Sequence, residues 1–348
     1  MIPAQTTPRR RTNQRSTIPL LLLLCGSVPS CDDDWDPETA LDDDQIGLDQ
    51  PGLRKGTWPP PGGTLNTAWL GNTQLMRLLP PGIALQENET DARVWALEVL
   101  TGSQPSLGLQ ISAPLGDLQV TMAGGQSAAG ADLIGSRWWL DANHTHYVTV
   151  ADYDYDGDSG RHRYRLEHVS NQLTGDAEPI CLPETSGQSW AYTVMDVRVD
   201  VDNGSVTPEP GALMVACTTG ALGKAITWGF SPWATVGPSL DLWETGIRTV
   251  RADYCGDGVP YTNTGTALQI FNDAADQDFW ASNRKTEAVF GPDGALCMTA
   301  PRVQYLAAPH CPLTSCDDLG GAPPSVLTDP TYAWTKLMTF PHTNPMLP

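Results

Sequence analysis

The chain has 348 residues, with 20 Lys or Arg against 40 Asp or Glu and a formal net charge of -20. A surface of that sign repels a polyanion, and no Lys/Arg stripe overrides it, so nucleic acid is excluded as a partner. Glycine (33) and proline (30) are scattered throughout, long helical periodicity is absent and no repeat has a stable period, which argues against a helical or repeat architecture.

Residues 1–30 read as an export signal: Arg9, Arg10, Arg11 and Arg15 precede the apolar run Leu20 to Leu24, too short to span a bilayer. The close, Val28-Pro29-Ser30-Cys31, resembles the lipobox of bacterial lipoproteins, in which the cysteine is lipidated and becomes the mature amino terminus. Val28 in place of the commoner leucine, and Pro29 after it, leave an ordinary signal-peptidase cut nearby as the alternative. The resemblance implies an exported protein held at the cell envelope, at the outer membrane, through lipid on Cys31. With four arginines lost in the signal, the mature chain carries 16 basic residues against 40 acidic, a net charge near −24.

Residues 31–62 follow as an acidic, Pro/Gly-rich tether, with no basic residue before Arg54. Self-repulsion and proline keep such a segment extended. Beyond it, short β-branched and aromatic runs bounded by turn residues dominate. In a region over 63–174 they are His146 to Tyr155 and Arg161 to Val169. In a second, over 175–348, they are Trp190 to Val201, Ala212 to Thr218, Ala225 to Phe230, Ala267 to Phe271, Thr286 to Phe290 and Ala295 to Thr299. The expectation is a mainly β protein of antiparallel strands and hairpins, disulfide-linked, with few short helices, one of them near Asp278. Gly291-Pro292-Asp293-Gly294 predicts a tight turn that places Cys297 on a hairpin strand.

Once Cys25 leaves with the signal and Cys31 is lipidated, six cysteines remain: Cys181, Cys217, Cys255, Cys297, Cys311 and Cys316. An even set outside the cytoplasm predicts three disulfides, with fifteen pairings open. Cys311 and Cys316 lie close enough in sequence to close a tight loop, and His310 beside them keeps a metal site as the alternative.

Arg251-Ala252-Asp253-Tyr254-Cys255-Gly256-Asp257-Gly258 resembles the signature of the ADYC domain, a family of unknown function found in envelope lipoproteins of myxobacteria and their relatives. Further matches, in the family's order, are Pro179-Ile180-Cys181, Ala216-Cys217-Thr218, Gly223-Lys224, Trp228-Gly229-Phe230-Ser231-Pro232-Trp233 and Gly291 to Cys297, so the resemblance covers roughly 175–302. Two family cysteines are replaced, by Ala225 after the lysine and by Gly246 before the motif. Joint loss implies that they pair in the relatives, since a leftover thiol is a liability in an oxidising compartment. The family implies no activity. Within the motif the residues predict a strand-like segment ending at a buried Cys255, a turn around Asp257 made possible by Gly256 and Gly258, and a packed Tyr254. Asp253 is expected to accept backbone hydrogen bonds in the turn or to pair with Arg251 or Arg248, in preference to acting as a catalytic acid.

Among chemical constellations, Asp152, Asp154, Asp156 and Asp158 stand at alternate positions, as oxygen ligands for calcium do, but Arg163 occupies the place of the closing bidentate glutamate. A hairpin in which Asp152 and Asp154 face Arg161, Arg163 or Arg165 is preferred. Gly157-Asp158-Ser159-Gly160 imitates a serine-protease nucleophile without its partners, and Gly223-Lys224 lacks the frame of a phosphate loop. His144 and His146 alternate as if on one strand face, and Trp138 and Trp139, as strand neighbours, point opposite ways, so that exposure of one is open while core packing is the default. Trp228 and Trp233 bracket a turn and are the candidate binding aromatics. The function expected is therefore a non-catalytic binding or structural module with an unknown protein or glycan partner. The alternative is an extracytoplasmic hydrolase. No cofactor is implied apart from calcium in that alternative.

Overall fold

The computed structural model describes residues 92–319, with interruptions at 102–103, 141–142, 157–159, 170–174, 201, 234–238, 264–267, 272–285 and 303–307, together with 56–58, 67, 70, 75–77 and 333–337. The signal, Cys31, nearly all of the tether, Asp158 and the helix expected near Asp278 lie outside the described residues.

The described chain opens with β1 (Gly56–Trp58), β2 (Leu75–Arg77), β3 (Ala92–Arg93), β4 (Ala96–Thr101), β5 (Gln104–Ser112), β6 (Gln119–Met122), β7 (Ser127–Ala129) and β8 (Arg137–Trp139). Next come β9 (Tyr147–Asp156), β10 (Arg161–Val169), β11 (Ala177–Pro179), β12 (Ala191–Val199) and β13 (Val206–Cys217). Two helices follow, α1 (Ala221–Thr227) and α2 (Ser239–Arg251), then β14 (Leu268–Phe271), β15 (Thr286–Gly291), β16 (Gly294–Met298) and β17 (Ala333–Leu337). The protein is mainly β and antiparallel, β2 with β3 being the one parallel pair among the described strands. No described helix is long and apolar enough to cross a membrane.

A twelve-stranded sheet runs β3-β2-β13-β12-β10-β9-β8-β4-β5-β6-β7, with β11 paired to β10. Because β10 and β12 are neighbours in it, the boundary expected at 174/175 falls inside one sheet. One face is buried by side chains from β4 through β13, among them Val99, Leu118, Trp138, Val150, Tyr164 and Val215. β13, near one end of the order, and β7, at the other, share that core, so the sheet curls back on itself. The return is tied by the 3₁₀ turn Pro114–Gly116, where Thr193 Oγ1 donates to Gly116 O (3.0 Å), and by Leu118 N–H donating to Tyr164 Oη (2.9 Å).

The opposite face, over β12 and β13, is covered by the helices, and Tyr192, Val194, Met214 and Ala216 meet Leu222, Trp243 and Ile247 there. Those two strands are therefore buried on both sides and read as continuous rather than alternating apolar runs. The run Ala225 to Phe230, expected as a strand, ends α1 instead. A short apolar run has no periodicity that separates strand from helix, and the docking of α1 on β13 decides it. In α2 the apolar residues Leu240, Trp243, Ile247 and Val250 recur at helical spacing and pack inward. This helix touches β13 of the large sheet and β15 and β17 of a second sheet, ordered β1-β14-β17-β15-β16.

The helices meet at Gly246, where an added Cβ would overlap the Phe230 side chain and lie 2.9 Å from Ala225 Cβ. The two positions at which the family resemblance places cysteines are thus spatial neighbours. Gly246→Ala is expected to cost about 1–3 kcal/mol through overpacking, read as a lower urea midpoint.

Candidate functional site

The Arg251-to-Gly258 motif begins as the end of a helix, not as a strand. Asp253 N–H donates to Arg248 O (3.0 Å) and Ala252 N–H to Thr249 O (3.3 Å), with Ala252 in the left-handed region at φ 53°, the pattern of a Schellman helix stop. Helix propensity and the basic last turn, Arg248 and Arg251, favour this ending, because cations offset the negative end of the helix dipole.

Past the stop, the motif receives turns from both sheets. Arg248 Nη1 donates to Asp253 Oδ2 (2.5 Å) and to Asn203 O, Nη2 to Glu244 Oε1 (2.8 Å) and Ser205 Oγ (3.1 Å), and Nε to Pro292 O (3.2 Å). One guanidinium thus joins α2, the β12–β13 turn and the β15–β16 turn. Asp253 Oδ2 also accepts from Gly258 N–H (2.9 Å), combining the Arg248 pairing and the turn hydrogen bond that the residues suggest. Gly256 (φ 70°) and Gly258 (φ 87°) lie so close to Asp293 O and Asn203 Cα that a Cβ at either would overlap them. Glycine is required there for the approach of a second backbone as well as for φ.

Below this layer lies a buried charged group. Arg302 Nε and Nη2 donate to Glu287 Oε1 (2.9 Å) and Oε2 (3.2 Å), Nη1 donates to Val250 O (3.1 Å), and Tyr254 Oη donates to Glu287 Oε1 (2.9 Å) while accepting from Arg302 N–H (2.7 Å). Burial first, and the Glu287 charge second, push the Tyr254 phenol well above its ordinary value. Its ring stacks on Phe290 at 5.5 Å. Asp253 and Tyr254 are both buried, so the motif's chemistry is spent inside the protein.

The six cysteines form Cys181–Cys217, Cys255–Cys311 and Cys297–Cys316. Cys311 and Cys316 do not close a loop on each other. The segment between them lies along β16, where Thr314 O accepts from Met298 N–H (2.9 Å), and this brings each cysteine to a different partner. Cys255 is half-buried rather than buried. His310 Nε2 sits 2.8 Å from Asp257 Oδ2 and Nδ1 3.2 Å from Tyr261 Oη. Among the described residues no group of three or more His, Cys, Asp or Glu gathers as a metal site.

In the β9–β10 hairpin Asp154 pairs with Arg163 and Asp152 lies 3.5 Å from Arg165, across registered positions. The aspartates read as calcium ligands therefore face basic partners, and Asp156 is registered with Arg161. Trp228 is 1% exposed and fills the core under the helices, so it offers no binding surface. Trp233 is half-buried, its ring 5.3 Å from the Arg161 guanidinium and against Gly116. Both Trp138 and Trp139 are buried. His144 precedes β9 in a left-handed turn (φ 57°) and stacks on the ring of Trp139 at 4.8 Å, while Tyr147 meets that ring edge-on at 4.8 Å.

Lys224 is buried on α1, and burial pushes its ammonium down to about 8 against the opposing pull of Glu184. The unfolded chain then holds more protons than the folded one between pH about 8 and the ordinary lysine value of about 10.4, so stability rises with pH across that window. Above pH about 10 the raised Tyr254 value works the other way, since its contribution is lost as the unfolded phenol ionises. Lys224→Met is expected to flatten the rise, checked by urea unfolding at several pH values between 7 and 10.

One polar cluster has no sequence signal. His162 and Tyr164 on β10, and Tyr153 and Tyr155 opposite them on β9, meet Asp117 from the β5–β6 connection. Tyr164 Oη donates to Asp117 Oδ1 (3.1 Å), and His162 Nδ1 lies 3.5 Å from the same oxygen and 2.9 Å from Tyr153 Oη. Burial, reinforced by the Asp117 charge, raises both tyrosines above their ordinary values.

No curated protein and no solved structure matches the chain. Among protein-family models, that of the ADYC domain matches residues 130–304, from the 3₁₀ turn Gly130–Leu133 of the large sheet through the motif to Arg302 of the buried charged group. With half of its length in that match, the chain belongs to the ADYC domain family.

Proposed function

We propose that this chain is an exported, lipid-anchored protein of the cell envelope, held at the outer membrane through Cys31, and that its ADYC β module binds a surface partner without transforming it. The three disulfides carry this reading: they take up all six cysteines after Cys31, an arrangement that persists where the medium is oxidising. The burial of the motif supports the non-catalytic part, because Asp253, Tyr254, Glu287 and Arg302 are closed off from a substrate. In cells given an alkyne-tagged fatty acid, the protein is expected to take up label and fractionate with membranes, and Cys31→Ser to do neither. Label retained in Cys31→Ser, or absent from the wild type, overturns the anchor.

A hydrolase remains the second reading because Asp117 and His162 converge beside two tyrosines. Against it, no serine, threonine or cysteine hydrogen-bonds either residue among the described positions. Turnover of ester or glycoside substrates, lost in His162→Gln, would support it. Of the aspartates read as calcium ligands for this alternative, Asp152 and Asp154 are turned toward arginines.

A further inference from the structure

The Asp117 cluster presents an exposed aromatic ring beside an imidazole whose outer nitrogen is unused. Tyr155 is 53% exposed, and its ring meets that of His162 edge-on at 5.1 Å. On the other side the Tyr153 ring stacks on His162 at 5.9 Å, so the imidazole is held in one orientation between two rings. Its hydrogen bonding among the described residues runs through Nδ1 to Tyr153 Oη, with Asp117 Oδ1 3.5 Å from the same nitrogen. Asp117 is itself held, accepting from Tyr164 Oη (3.1 Å) at Oδ1 and from Gln119 Nε2 (3.2 Å) at Oδ2. With Nδ1 engaged by Tyr153 Oη, Nε2 is the ring nitrogen that can meet a ligand, as donor or acceptor according to the tautomer.

We propose that Tyr155 and His162 form a subsite for a neutral saccharide. This rests on the reading of the module as a binder and names its ligand class. The exposed ring offers an apolar face of the kind that covers the C–H face of a pyranose. Nε2, fixed beside that ring, exchanges a hydrogen bond with a sugar hydroxyl, which can donate or accept. Charge selects a neutral sugar over an anionic one: Asp117 stands behind the imidazole, and the whole chain carries −20.

The test is isothermal titration of the detergent-solubilised full chain with three probes, cellohexaose, maltohexaose and the hexamer of β-1,4-linked N-acetylglucosamine, followed by an assay for new reducing ends. At least one probe is expected to bind at millimolar concentration or tighter, uncleaved. Tyr155→Ala and His162→Phe are each expected to weaken binding about tenfold, as loss of one stacked face or one fixed hydrogen-bonding partner does. Trp95→Ala, which removes another exposed ring, is expected to leave it unchanged. Both site variants must keep the wild-type urea midpoint, and Tyr155→Phe, which retains the ring, is expected to retain binding. Binding unchanged in both site variants overturns the subsite and leaves the module reading standing. No binding by any probe overturns the ligand class. Cleavage of a probe, lost in His162→Phe, overturns the module reading in favour of a hydrolase.

Discussion

Arg302→Met and Glu287→Gln are each expected to lower the unfolding free energy by about 3–5 kcal/mol, because each leaves a charge or a forked donor buried without its partner. The pair is two-pronged, fully buried and tied to Tyr254 and to Val250 O, so water cannot replace a lost partner without opening the interface between α2 and β15. The double variant Arg302→Met/Glu287→Leu is expected to recover most of the loss, since apolar side chains of similar volume often match a buried ion pair. Urea unfolding with the disulfides intact measures all three. Equal losses in the single and double variants would show that the geometry around Tyr254, and not the unpaired charge, carries the cost.

Gly256→Ala is the second large effect, expected to cost about 3 kcal/mol: roughly half from the left-handed backbone and half from overlap with Asp293 O. Gly124 is the matched control. It also has positive φ (104°), yet nothing lies within 4 Å of an added Cβ, so Gly124→Ala is expected to show only the backbone part, about 1–2 kcal/mol. The difference between the two urea-derived losses isolates the docking of the β15–β16 turn on the motif. Equal losses would mean that the turn yields freely, and that the motif does not hold the second sheet.

Much of the fold was legible where a local rule suffices. The β9–β10 hairpin declares itself through aspartates facing arginines across a turn, and its register pairs Asp154 with Arg163. Gly291-Pro292-Asp293-Gly294 makes the β15–β16 turn, with Cys297 on the strand after it. The helices were not legible in the same way. Ala225 to Phe230 is too short for its period to be read, and Arg251 to Cys255 has strand-like composition but follows a helix whose end is set by packing. Cover over single tryptophans was not legible for a related reason: Trp228, at the end of α1, is closed in by α2 and the strands beneath, and Trp139 by His144 and Tyr147.

The sequence by itself determined the family, the antiparallel β character and the existence of a complete set of disulfide partners, because each follows from residue type, alternation or ordered motifs along the chain. Only the tertiary structure decided which cysteines join, that Arg248 and Arg302 build the motif into the core, and that Asp117 meets Tyr164 across 47 residues. Those outcomes depend on which strands become neighbours when the sheet curls and α2 lodges between two sheets. That choice rests on burial summed over the whole core, and no local stretch of chain encodes it.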